Sequence, residues 1–107
     1  MDQSHSKLIK LNKLIKTLFV IGTRPEAIKL YPVINAFLQT EGIEVLVCST
    51  GQHSSLLDDA LTSLELKVDI SLNLMTHNQG LAKITSSCIE SLNNLISDNK
   101  PDLVFVQ

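Results

Sequence analysis

Phe19-Val-Ile-Gly22-Thr23-Arg24-Pro25-Glu26-Ala27-Ile28-Lys29 joins the end of an apolar run to the start of a helix-like segment, and this junction sets the reading of the whole chain. Just upstream, Thr17-Leu-Phe-Val-Ile21 is apolar without alternation, as expected of a strand covered on both faces. Gly22 closes it. Thr23 and Glu26 have the T-x-x-E spacing of a capping box. Pro25 suits the first helical position and biases Arg24 toward an extended conformation at the lip of a cleft. Strand, short loop and helix form the unit of a parallel α/β sheet, and such sheets bind ligands at the loops that follow their strands.

The same unit recurs outward from this junction. Ile43-Glu-Val-Leu-Val-Cys48, ending in Ser-Thr-Gly, and Asp102-Leu-Val-Phe-Val106 read as further buried strands. Val68-Asp-Ile-Ser-Leu-Asn-Leu74 alternates apolar and polar residues and reads as a short edge strand. Helices are predicted over Pro25 to Thr40, His53 to Leu64 and Gln79 to Ser97. In the last, Leu81, Ile84, Cys88, Leu92 and Leu95 return every three or four residues as a face for the sheet. Pro32 lacks an N–H and disfavours helix at Tyr31, so a short turn with a restart near Pro32 is expected in the first helix. The predicted fold class is α/β, a Rossmann-like parallel sheet with flanking helices.

Composition narrows the function. The chain has 107 residues, 44% of them hydrophobic, which is enough for the core of one domain. A formal charge of −2, one tyrosine and no tryptophan argue against nucleic acid as a partner. Cys48 and Cys88 stand far apart without CxxC or histidine spacing, so neither zinc nor a disulfide framework is expected. No run approaches the roughly 20 apolar residues of a membrane span, and the lysines at 7, 10, 13 and 16 break up any secretory signal. The cytoplasm is the expected location. Residues 1–16 hold four lysines against one aspartate, unlike the acidic remainder. They read either as a frayed basic leader or as a short amphipathic helix for a membrane surface or partner.

Arg24 and Lys29 are the candidate substrate-binding residues. A helix start offers partial positive charge and free N–H groups to a phosphate or carboxylate, and Gly22 allows close approach. A guanidinium can fork onto a diphosphate, with a lysine about one turn later as a second cation. The competing reading leaves Thr23 and Glu26 as a cap, Arg24 solvated and Lys29 paired to Glu26. The glycines of a dinucleotide fingerprint are missing, so no such cofactor is expected. Asp58 and Asp59 are helix neighbours about 100° apart and cannot share one proton or metal. His77 precedes a helix and reads as a loop or cap residue. Gln52 and His53 follow the second strand on the same edge as Arg24; Gln52 is taken as a cleft-lining candidate and His53 ranks below it.

Gly22-Thr-Arg-Pro-Glu-Ala-Ile-Lys29 resembles the opening strand and loop of the UDP-N-acetylglucosamine 2-epimerase family of the non-hydrolysing type. The resemblance continues in order through Thr50-Gly-Gln52-His53 with Leu56-Leu57-Asp58, then Leu72-Asn-Leu-Met75 with Gln79-Gly-Leu81. It ends with Pro101-Asp-Leu-Val-Phe-Val-Gln107, a strand that in the family leads to a Gly-Asp-Thr loop. It implies two Rossmann-like domains facing across a cleft, as in the GT-B glycosyltransferases. It also implies interconversion of UDP-GlcNAc and UDP-ManNAc through elimination and re-addition of UDP, for cell-surface polysaccharide precursors. Arg24 and Lys29 match the family's cationic substrate-binding positions, and Gln52 falls in the loop that serves a regulatory site in bacterial members. The family's catalytic aspartate belongs to the Gly-Asp-Thr loop beyond Gln107, so no catalytic residue is expected in this chain. Intact members are expected to be homodimers.

The expected organisation is a loosely ordered basic leader at 1–16 and part of the N-terminal Rossmann-like domain at 17–107, with the C-terminal domain absent. A sheet that stops just after a buried strand is expected to be a piece of a longer protein and inactive by itself. The rival readings are a non-catalytic binding or remnant module and a related GT-B glycosyltransferase.

Overall fold

Each apolar run forms a strand, and all the strands are parallel. The computed structural model describes residues 14–51, 55–72, 74 and 80–107. In chain order the elements are β1 (Ile15–Ile21), α1 (Arg24–Leu38), β2 (Ile43–Ser49), α2 (Ser55–Ser63), β3 (Ile70–Ser71), α3 (Leu81–Asn99) and β4 (Leu103–Phe105). The sheet order is β3-β2-β1-β4. From β1 the chain steps one way to β2 and β3, then returns past β1 to β4. Right-handed crossovers therefore put α1 and α2 on one face and α3 on the other.

The two faces of β1 fill two cores. Phe19 and Ile21 pack with Ala27, Leu30 and Ile34 of α1 and Leu57 of α2, while Leu18 and Val20 pack with Cys48 and Leu95. This is the covered α/β sheet that the unbroken apolar run predicted. Burial pushes the Cys48 thiol up to about 11, and Cys88 nearby adds to the shift. Cys88 itself is only half-buried. At pH 8 a thiol reagent is expected to modify Cys88 and leave Cys48 intact until the chain unfolds, as read by mass spectrometry with and without urea. The folded state keeps the Cys48 proton while the unfolded state loses it near 9, so this group's contribution to stability falls as pH rises from about 9 toward 11.

Several boundaries differ from the sequence reading for identifiable reasons. β1 starts at Ile15, two residues before the predicted Thr17, because the ladder continues beyond the apolar run: Ile15 pairs with Ile43 and donates to Gly42 O at 2.8 Å. α1 runs through Pro32 without the expected turn. Ala27, Leu30 and Ile34 hold the helix to the sheet on both sides of the proline, and Pro32 with Ile28 lies on the exposed side, where water can satisfy the carbonyl that loses its partner. α3 packs into the core through its C-terminal part, at Leu92 and Leu95. Leu81 is 82% exposed, contrary to its assignment to the packed face. A 19-residue helix is about 28 Å long against about 23 Å for a seven-residue strand, so its first turn overhangs the sheet.

Two aspartates start the edge strands in the same way. Asp69 donates its N–H to Val47 O at 2.9 Å and accepts the Val47 N–H on its carboxylate at 2.8 Å. Asp102 does the same to Lys16, at 2.8 Å for both bonds. Each side chain extends the ladder one step beyond the short strand that follows it. Asp69→Ala is expected to cost about 1–2 kcal/mol in urea unfolding, while Asp69→Asn, which retains an acceptor, is expected to lose less.

Candidate functional site

The chain reverses its direction across the sheet between β1 and β4, and the crevice beyond the carboxyl ends of strands at such a reversal is where open α/β sheets bind ligands. Gly22, Thr23 and Arg24 directly follow β1 at that point. Thr23 is the N-cap residue, with extended backbone at φ −135° and ψ 162°, and its hydroxyl accepts from Glu26 N at 3.4 Å. The Glu26 carboxylate bends back: Oε1 accepts the Gly22 N–H at 3.2 Å, and Oε2 accepts the Thr23 hydroxyl at 2.5 Å. The predicted capping box is present, reaching one residue further back than the usual N-cap N–H.

This cap alters the expected anion site. The Gly22 and Glu26 N–H groups are both occupied, and Pro25 has none, so the helix start does not offer the open set of backbone donors read from the sequence. Gly22 also has a different role from the one expected. A methyl group on it would sit 2.6 Å from Thr50 Oγ1, so what approaches it closely is the next loop of the same chain. The signal lay in the strand register: Ile21 pairs with Ser49, which sets Gly22 beside Thr50. Thr50 N–H donates to Ile21 O and Thr50 O accepts from Leu74 N–H, both at 3.0 Å, so the loops after β1, β2 and β3 are tied in a row. Gly51, at φ 87°, takes the backbone conformation that the Thr50-Gly51 turn needs.

Arg24 is the first helical residue, not extended as predicted; Thr23 takes the extended position. Its side chain is exposed and lines a groove of about 280 Å³ between α1 and α2, with Ile28, Leu56 and Asp59. Lys29 is exposed too, but five residues along a helix is about 140° around its axis, and Lys29 does not line that groove. Of the two candidate cations only Arg24 lines that groove. Among the described residues neither has an ion-pair partner, and Glu26, committed to Gly22 and Thr23, does not pair with Lys29. Asp58 and Asp59 line different grooves, in keeping with their angular separation; Asp58 lies in one of about 520 Å³ with Ser49, Gly51 and Asp69. Gln52, His53 and His77 lie outside the described residues. Among those described, no group of three His, Cys, Asp or Glu side chains could hold a metal ion, and no helix is long and apolar enough to cross a membrane.

Comparison with known proteins gives this geometry its context. A family model described as UDP-N-acetylglucosamine 2-epimerase matches residues 35–107. The UDP-N-acetylglucosamine 2-epimerase of Neisseria meningitidis is 47% identical over 92 residues, covering 86% of this chain and 25% of that protein. The enzyme of the same name from Salmonella typhimurium is 44% identical over 92 residues, covering 86% and 24%. The crystal structure of the UDP-GlcNAc 2-epimerase from Neisseria meningitidis bound to UDP-GlcNAc matches with a TM-score of 0.79 and 47% identity, over 85% of this chain and 24% of that one. The chain thus spans about a quarter of the length of these relatives.

Proposed function

The chain belongs to the UDP-N-acetylglucosamine 2-epimerase family, and we propose that it supplies the Arg24 side of a UDP-sugar site in a protein that interconverts UDP-GlcNAc and UDP-ManNAc. The observation that carries this reading is an exposed arginine, without an ion-pair partner among the described residues, on the first helical residue after β1, the strand at which the sheet reverses. In an elimination and re-addition reaction, negative charge grows on the departing diphosphate, and a fixed guanidinium stabilises it more in the transition state than in the bound substrate. Lys29, on another side of α1, would meet the ligand only from a surface facing that side, and Gln52 is assigned to the lining of the cleft. A proton must leave and rejoin C2. Glu26 has both oxygens engaged within the turn, and on the family resemblance the acid and base are assigned to residues outside these 107, so the chain alone is expected to be inactive.

The proposed organisation is a basic leader ahead of β1, part of the first Rossmann-like domain from β1 to Gln107, and a second domain across the cleft. The whole protein is proposed to be a cytoplasmic homodimer supplying precursors of surface polysaccharide. The test is a coupled assay for UDP-ManNAc on the 107-residue chain and on the same chain joined to the remaining length of the Neisseria meningitidis relative. Turnover in the joined protein alone, reduced about tenfold or more by Arg24→Ala, is the expected result. A folded joined protein without turnover, or one indifferent to Arg24→Ala, would overturn the assignment and favour a glycosyltransferase or a non-catalytic module.

A further inference from the structure

We propose that Glu26 is the positioning residue for Arg24, acting through the turn from Gly22 to Thr23. This rests on the reading of Arg24 as a diphosphate contact. A carboxylate two residues from that arginine opposes the binding of any anion by simple Coulomb repulsion, so its presence is not explained by recognition. Its geometry explains it. One oxygen holds the Gly22 N–H and the other holds the Thr23 hydroxyl, leaving neither directed at Arg24. The residues immediately before Arg24 are thereby bound to the helix that follows it.

The opposite side of the turn is held independently. Thr50 Oγ1 occupies the space where a side chain at Gly22 would begin, and Thr50 N–H bonds to Ile21 O. Gly22 thus lies between the Glu26 carboxylate and the Thr50 side chain, at the point where strand becomes helix. The guanidinium has no ion-pair partner of its own among the described residues, so its position depends on the backbone that carries it. Holding Arg24 through the backbone leaves all five of its N–H donors for a ligand, whereas a direct Glu26–Arg24 pair would consume two of them.

The test is a double-substitution cycle in the joined protein described above, with KM and kcat for UDP-GlcNAc read separately. Arg24→Ala, Glu26→Ala and Glu26→Gln are made singly, and Glu26→Ala is also made in the Arg24→Ala background. Glu26→Ala is expected to reduce kcat/KM about tenfold alone and less than twofold when Arg24 is already gone, because it acts through Arg24. Glu26→Gln keeps an oxygen for the Gly22 N–H and is expected to recover more than half of the loss. Thr23→Val, which removes the hydroxyl but keeps the volume, provides the same cycle if Glu26→Ala does not fold. An undiminished Glu26→Ala effect in the Arg24→Ala background would overturn the positioning role. So would a Glu26→Gln variant as poor as Glu26→Ala, since that would make the charge the active property. If Arg24→Ala alone leaves kcat/KM unchanged, the reading of Arg24 fails first, and the positioning role fails with it.

Discussion

Phe19→Ala is expected to destabilise the chain by about 3–5 kcal/mol, a large share of the roughly 5–15 kcal/mol that holds a domain folded. Phe19 is fully buried in the middle of β1, one of the two strands that pair on both sides. All three phenylalanines of the chain meet there. Phe19 stacks on Phe105 with ring centroids 4.7 Å apart and planes 9° apart, because the two residues are register partners on β1 and β4. Phe37, near the end of α1, meets both rings edge-on, at 5.6 Å and 5.4 Å. Removing the central ring leaves a cavity and also removes its ring contacts to α1 and to the three-residue β4. Urea unfolding followed by far-ultraviolet circular dichroism provides the measurement, with Phe37→Leu as a comparison expected to lose about 1 kcal/mol. A Phe19→Ala variant within 1 kcal/mol of the parent would mean that this cluster is not the centre of the core.

Much of this fold was legible because the strands are buried on both faces. In such strands hydrophobicity is continuous, so Leu18 to Ile21 and Val45 to Cys48 stood out even without knowledge of their partners. The ends were harder to read. Ile15 and Lys16 join β1 through backbone partners on Gly42, Glu44 and Asp102, which leave no apolar pattern in the sequence. The local chemistry of Pro32 alone argues for a turn, whereas the helix holds because the sheet grips it on both sides of the proline. Leu81 has the right helical phase but lies past the edge of the sheet, and phase does not report length.

The site was legible in residue type and less so in arrangement. Thr23 and Glu26 gave the cap from their spacing. The same spacing could not show that the carboxylate would reach Gly22 and occupy its N–H. Arg24 and Lys29 share a charge and a short segment, yet five helical residues separate them by about 140°. The pairing of Gly22 with Thr50 is a contact between two loops about 30 residues apart, and only the register of β1 against β2 sets it.

That contact yields a sharp prediction: Gly22→Ala is expected to cost about 2–3 kcal/mol, and Thr50→Ala is expected to restore most of it. The added methyl would stand 2.6 Å from Thr50 Oγ1, inside contact distance, while its other neighbours, Glu26 Oε1 at 3.9 Å and Thr50 Cβ at 4.0 Å, are ordinary contacts. The clash thus belongs to a single atom. Gly22 is not among the positive-φ residues, so alanine carries no backbone strain there that could account for the loss. The Thr50 backbone cannot withdraw, because its N–H is bonded to Ile21 O and its carbonyl to Leu74 N–H, and a β-branched side chain is stiff at χ1. Four proteins complete the measurement in urea: the parent, the two single variants and the double variant. Thr50→Val in the Gly22→Ala background serves as the control, since it keeps a branched side chain of the same volume and should restore little. If the double variant is as unstable as the sum of the singles, Gly22 is not required by Thr50, and the close approach at that glycine must be sought elsewhere, beginning with a ligand at the carboxyl end of β1.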